Sequence, residues 1–358
     1  MTTRFSGVRT LPMALAGLLL LAACTGEGSA SPSTVASESK SESESESVAP
    51  SVAPQTPVTL SLAHSYTDQQ PQARCGAAVI KREAEAAGVA LTIEISGGSV
   101  LGGDADRIDL VMSGDIDMDI QGASALARVY APMSAVDGAF VFDDSDHMYR
   151  FFTSEASDLL KDGFHDVTGV RILGAWNTGA RQFTANVPIR TPDDLVGLRM
   201  RFPPSPTFVL NAQAMGADPV EVAYEELYLA LQQGIVDGQE NPLVNIDAIN
   251  LDEVQDYVSL SSHQLSSNLV IIGEVWDELS AVQQEALAAA VETAMVEEPA
   301  CVVEAEEAIL AGFAATGTMQ VIDDVDRDAF RARAEPYLRE HFTPEAIEVL
   351  DAIRSAAE

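Results

Sequence analysis

The chain has 358 residues, 47% of them hydrophobic, which is enough apolar material for two domains of moderate size. Its 55 acidic residues outnumber 20 lysines and arginines, for a formal charge of −35. That balance excludes nucleic acid as a partner, because binding a phosphate backbone needs a basic face.

Taken in order, the chain opens with Arg4 and Arg9 ahead of an apolar run over 11–23, the pattern of a secretory signal peptide spanning residues 1–23. The run is too short for a spanning helix. Leu21-Ala22-Ala23-Cys24 resembles a bacterial lipobox, which implies cleavage before Cys24 and lipidation of that residue. The protein is then expected outside the cytoplasm, lipid-anchored to the outer face of the membrane or periplasmic; the alternative is ordinary cleavage beside an incidental cysteine. Residues 24–57 are Ser, Glu, Pro, Ala and Val around SESESES, a composition that forms no core and is expected to act as a flexible tether. The leader contributes +2 and residues 24–57 contribute −4, leaving −33 for 58–358. Such a surface repels anions at long range, so an anion site here requires local positive potential.

Order is expected from Val58. Residues 58–62 alternate as a strand, 71–87 carry a helical pattern and 91–95 a second strand. The glycine-rich segment 97–103 lacks the Lys-Ser/Thr ending of a phosphate-binding loop. A short helix is predicted over 104–113 and a strand over 115–120, which ends at Gln121-Gly122-Ala123-Ser124. Asp115, Asp117 and Asp119 alternate along that strand. A hard cation needs a loop wrapped around it, so the acids read as an exposed strand edge rather than a metal site. Further helices are predicted over 146–161, 205–215 and 223–233, with strands over 170–176, 235–239, 258–260 and 269–272. Thr191-Pro192-Asp193-Asp194 has the look of a helix start. A long helix begins near Ser280 and is rich in Ala and Glu over 286–315, and helices from about Val325 and Pro344 end the chain. Cys75 and Cys301 sit on helical patterns; a secreted context permits a bridge between them, and two separate buried thiols are the alternative.

The segment 179–243 carries the chemistry. It holds GARQFTAN, then TPDDLVGLRMRFPPSP, then EELYLALQQGIVDGQENPL. Arg201 lies in the apolar strand pattern Leu198-x-Met200-Arg201-Phe202, stopped by Pro203 and Pro204. A guanidinium there needs an anion, and its planar fork suits two parallel bonds to a carboxylate. An internal salt bridge is the plain alternative in so acidic a chain. Read together, Arg181-Gln182, the DLVGLRMR run of 194–201 and the GQENP ending of the following helix resemble the substrate-binding receptors of TRAP (tripartite ATP-independent) transporters. The resemblance extends from about Val58 to the C-terminus, and it makes the 97–103 segment that family's "GxLG" turn. Phe202 departs from the valine common at that place.

The resemblance implies an α/β, two-lobe periplasmic-binding-protein-like fold with a hinge and a long helix spanning both lobes. It implies lobe I over 58–178 and 267–306 and lobe II over 179–266 and 307–358. The implied ligand is a small organic acid, a sugar acid in preference, delivered to the membrane subunits of a permease. Arg201 is expected to fork the carboxylate, Arg181 to add a second donor and Asn241 to donate and accept. Tyr224, which opens the helix over 223–233, is expected to face the ligand or else to be plain core. Gln121 and Ser124 are expected on the opposite wall, with His64 nearby. No cofactor and no metal are expected, since His64, His147, His165, His263 and His341 show no paired spacing. An enzyme is not expected, as no Gly-x-Ser-x-Gly elbow is present. The rival reading is a lipoprotein receptor serving a sensor or another type of carrier.

Overall fold

The computed structural model describes residues 55–357. The leader over 1–23, Cys24, the tether as far as residue 54, and Glu358 lie outside the described residues. In chain order the elements begin with β1 (Val58–Ala63), α1 (Ala78–Ala86), β2 (Leu91–Ser96), α2 (Asp104–Ser113), β3 (Met118–Gln121), α3 (Ala123–Leu126), α4 (Ser145–Thr153) and α5 (Asp158–Thr168). They continue through β4 (Arg171–Ala185), β5 (Arg199–Phe202), α6 (Pro206–Met215), β6 (Asp218–Glu221), α7 (Leu227–Gln232), β7 (Gly238–Pro242) and α8 (Leu243–Ala248). The last are β8 (Tyr257–Ser259), β9 (Leu265–Ile272), α9 (Ala281–Thr316), β10 (Gln320–Ile322), α10 (Arg327–His341) and α11 (Pro344–Ser355).

The strands run in the order β2-β1-β3-β9-β4-β7-β5-β6, with β8 and then β10 beside the end of β4. β1 is parallel to β2 and β3, and β5 is parallel to β6 and β7, so each half of the sheet is a small parallel unit whose crossovers are helices. Helices cover these strands on both faces, and that is why Leu60, Leu62, Ile93, Met200 and Phe202 are all buried.

The two halves meet on β4. Its first part is antiparallel to β9, and from Arg181 onward it is antiparallel to β7. Between Asn177 and Ala180 the register shifts, and Gly179 sits in the break with φ of +108°. A Cβ at Gly179 would also lie 2.7 Å from Glu306 Oε1 and 3.0 Å from Pro242 Cβ, so only glycine fits. The predicted strand over 170–176 is thus the first half of a 15-residue strand that serves both halves. α9, 36 residues long and capped by Ser280 with Gln283, packs on α1, β4, α8 and β10 and so spans both. Cys75 and Cys301 are joined by a disulfide, with Cα atoms 6.4 Å apart, tying the turn before α1 to α9.

Four local expectations change. The helix expected over 146–161 is broken at Ser154, whose hydroxyl takes the Phe151 carbonyl and ends α4. The strand expected over 235–239 begins at Gly238, because the Asp237 carboxylate binds the backbone N–H and guanidinium of Arg199 and makes 237 a turn residue. Residues 223–233 divide into a short turn, Tyr224–Glu226, and α7. The alternating acids do not share an exposed strand edge: the strand expected over 115–120 begins at Met118, and Asp115 is exposed in the turn before it. β3 lies between β1 and β9, Asp119 is buried against Arg107, and Asp117 accepts from the backbone and hydroxyl of Ser61. Strand position depends on which partners fold against it, and alternation does not reveal that. Among the described residues no helix is long and apolar enough to cross a membrane.

Candidate ligand-binding cleft

A cavity of about 350 Å³ lies where the ends of β3, β5 and β7 converge on the β4–β9 crossing. Strand ends in open α/β sheets leave such a crevice because the chain turns away to opposite sides. The size falls in the range of small-molecule sites, roughly 300–1,000 Å³. Arg201, Arg181, Asn241, Tyr224, Gln121 and Ser124 all line it, although they come from well-separated parts of the chain. His64 does not line it. Its ring packs behind the wall, with Nδ1 accepting from the Tyr66 N–H and Cε1 filling the space beside Gly97. Burial, with Arg107 nearby, lowers its pKa to about 4, so His64 is neutral.

β5 carries Arg201 into the cavity, 1% exposed. Its Nε donates to the Val222 carbonyl at 2.8 Å, while Nη1 has no hydrogen-bond partner among the described residues. No ion pair reaches it among the described residues. Burial lowers the guanidinium to about 10, opposed by Glu240 and reinforced by Arg181, so it still carries its charge at neutral pH. An unpaired buried cation is costly to keep, and this one lacks the internal salt bridge that an acidic chain could have offered.

Arg181, at the break in β4, is different. Its Nε and Nη2 bond the carboxylate of buried Glu240, the latter at 2.7 Å. Nη2 also donates to Glu240 O and to Asn241 Oδ1, and Nη1 donates to Ser266 Oγ at 2.8 Å. Phe208 lies under the guanidinium, 4.7 Å from its centre. Burial alone would raise the Glu240 carboxyl, but Arg181 and His263 hold it below its usual value. Both arginines looked alike in sequence; one is neutralised and the other is not.

Asn241, at the end of β7, spends its Nδ2 on Gln239 Oε1 at 2.6 Å. The Tyr224 hydroxyl donates to the Asn245 carbonyl at 3.2 Å, and burial raises its pKa. On the other wall, Ser124 donates its N–H and hydroxyl to Asp137 at 2.8 and 2.7 Å, and Ser267 donates its hydroxyl to the second oxygen of the same carboxylate at 2.7 Å. Burial raises Asp137, and these serine bonds oppose the rise. Gln121 and Asn268 complete that wall.

Sequence reasoning missed Tyr66, Asp137, Phe208, Asn245 and the run Ser266-Ser267-Asn268. The last had a signal: three polar residues follow Leu265 in β9, a strand otherwise apolar. Glu240 stood inside the GQENP motif without an assigned role. Hydrogen bonds already cross between the halves, among them Gln70 Nε2 to Asn245 Oδ1 at 3.0 Å, Ser205 Oγ to Ser124 O at 2.7 Å and Asn211 Nδ2 to Asp137 O at 2.8 Å. Among the described residues no group of three or more His, Cys, Asp or Glu is placed to hold a metal ion.

Residues 62–345 match the family described as bacterial extracellular solute-binding protein, family 7 (DctP). The chain is 30% identical over 270 residues to the 2,3-diketo-L-gulonate-binding periplasmic protein YiaO of Escherichia coli, covering 75% of this chain and 82% of that one. A TRAP periplasmic solute binding protein of Roseobacter denitrificans with bound L-galactonate superposes with a TM-score of 0.76 at 29% identity, over 84% of this chain and 99% of its own. Another, from Polaromonas, with bound D-erythronate, gives 0.76 at 27% identity, over 83% and 98%. The two-lobe fold, the cleft and the matched residues lead to one conclusion: the chain belongs to family 7 of the bacterial extracellular solute-binding proteins and is the extracytoplasmic solute receptor of a TRAP transporter.

Proposed function

We propose that the cleft binds a small organic acid whose carboxylate is forked by Arg201. The observation that carries this reading is the buried Arg201 guanidinium, lining a cavity with Nη1 unpartnered and no ion pair to a carboxylate among the described residues. A carboxylate there would complete the fork and remove the penalty of an isolated buried charge. Asn241 and Tyr224 flank that end, and Gln121 and Ser124 face it from the other wall. Arg181, neutralised by Glu240, acts by positioning: it holds Ser266 and Asn241. His64 supports the wall from behind rather than touching the ligand. The role is binding and release, not catalysis. The relatives with bound L-galactonate and D-erythronate support a sugar acid as occupant.

Residues 58–178 with 267–306 would form one lobe and 179–266 with 307–358 the other; the break in β4 pairing at Asn177–Ala180 supports the first boundary. Lipidation at Cys24 would anchor the mature chain, and the tether would let the loaded receptor reach the permease subunits.

The test is thermal unfolding of the full-length protein against a panel of organic acids, repeated with Arg201→Ala. A ligand at 100 times its Kd adds about 2.7 kcal/mol of stability. Because a charge-assisted hydrogen bond contributes roughly 1.5–3 kcal/mol, losing two is expected to weaken binding by about two orders of magnitude or more. Equal affinity in wild type and Arg201→Ala would remove Arg201 from the role.

A further inference from the structure

The carboxylate anchor accounts for one end of the cavity, and two other lining residues also carry polar atoms without partners. Gln121 and Asn268 are 1% and 2% exposed, and among the described residues neither Gln121 Oε1 nor Asn268 Oδ1 has a hydrogen-bond partner. Backbone carbonyls, which only accept, fix both amides in orientation. Gln121 Nε2 donates to Asp104 O at 3.2 Å and to the Asp119 carboxylate at 2.6 Å. Asn268 Nδ2 donates to Ser267 O at 3.1 Å and to the Tyr66 hydroxyl at 2.8 Å. The atom left over on each side chain is therefore an acceptor. The two residues stand on neighbouring strands, since Gln121 pairs with Leu269 across β3 and β9.

Charge around the cavity points the same way. Of the arginines lining it, Arg128 pairs with Asp109 and Arg181 with Glu240, which leaves Arg201 alone without a carboxylate among the described residues. The β3–β9 wall instead holds Asp137, buried and bonded by serines. One cation suits one carboxylate. A second carboxylate would bring lone pairs against Gln121 Oε1 and Asn268 Oδ1 with no cation to offset them, and an aliphatic end would leave both oxygens buried and unpaired.

We infer that this receptor selects acids with a single carboxylate and hydroxyl groups at the far end, with Gln121 and Asn268 accepting hydrogen bonds from those hydroxyls. The inference rests on the Arg201 reading above and adds the chemistry of the other end. It separates polyhydroxy monocarboxylates from dicarboxylates, and sites built to hydrogen-bond a hydroxyl reject analogues that lack it.

Calorimetric titration of the full-length protein with length-matched acids tests it. D-erythronate, succinate and butyrate form the four-carbon set; L-galactonate, adipate and hexanoate form the six-carbon set. In at least one set the hydroxylated monoacid is expected to bind about tenfold or more tighter than both others. A diacid or an aliphatic acid that equals or leads it in both sets overturns the inference. If that diacid also loses affinity in Arg201→Ala, the receptor reading stands and only the selectivity falls. No binding by any acid removes both. Asn268→Leu keeps the bulk but deletes the acceptor. It is expected to weaken the hydroxylated acid about tenfold while leaving the aliphatic acid unchanged or bound tighter, since the unpaired oxygen is gone; an equal loss for both would mark Asn268 as structural only and overturn its part.

Discussion

At the scale of single residues, two arginines of one cavity wall have opposite energetic standing. Arg181 completes a buried network with Glu240, Ser266 and Asn241, whereas Arg201 holds a charge with no direct ion pair among the described residues. Removing one partner of a buried ion pair costs about 3–5 kcal/mol, because the other charge is left stranded. Arg181→Met is therefore expected to lower the thermal midpoint of the ligand-free protein by many degrees. Arg201→Met, which trades an unpaired charge for an apolar chain of similar reach, is expected to leave that midpoint unchanged or raise it. Differential scanning calorimetry of both variants without ligand checks the contrast, and an equal drop in both would show Arg201 to be paired in solution.

At the scale of elements, α9 faces the β4 break with a buried acid, Glu298, and a half-buried one, Glu306. Burial pushes the Glu298 carboxyl well above its usual value, against the bond it accepts from Thr178 Oγ1 at 3.0 Å. Burial likewise raises Glu306 from 4.5 to about 7, opposed by the Leu243 N–H. Below pH 4.5 Glu306 is protonated in both folded and unfolded chains and has no effect on stability. Between 4.5 and about 7 the unfolded chain ionises first, so stability falls as pH rises, and above 7 the whole penalty is present. Glu306→Gln keeps an acceptor for Leu243, so it is expected to raise the thermal midpoint by a few degrees at pH 8 and by nothing at pH 4. Thermal scans across that range would expose an error in sign. The disulfide on the same helix gives a second expectation. Cys75→Ser with Cys301→Ser should cost about 2–5 kcal/mol in denaturant unfolding, because the bridge no longer restrains the unfolded chain.

At the scale of the molecule, charge and hinge dominate. A folded part carrying −33 repels itself, and salt screens that repulsion over a Debye length of about 10 Å at 0.1 M. The thermal midpoint is expected to climb with sodium chloride from low ionic strength to about 1 M, where screening shortens to about 3 Å. A falling midpoint would mean that attractive surface pairs such as Arg199–Asp237 and Arg339–Asp351 outweigh the net repulsion. Because β4 changes partners around Gly179, opening is expected there, with hydrogen bonds such as Gln70–Asn245 and Ser205–Ser124 broken in the open form. Small-angle scattering should then give a larger radius of gyration without ligand than with it.

Sequence by itself determined the α/β class, the long helix, the cleft arginines and the opposing loop at Gln121 and Ser124. The first three rest on periodicity, a proline stop after Phe202 and the long motif from Arg181 to Pro242, whereas the opposing loop rests on what the family resemblance implies. Sequence could not say that Asp119 is interior, since alternation is the same on an edge strand and a central one. Nor could it separate Arg201 from Arg181, because that difference depends on Glu240 folding back across the β4–β7 pairing. Asp137 and Asn268 joined the site only through contacts between distant segments. Which cation is neutralised, and which amide oxygen is left unbonded, are outcomes of three-dimensional packing. The tertiary structure alone decided them, because charge and hydrogen-bond satisfaction depend on neighbours in space rather than along the chain.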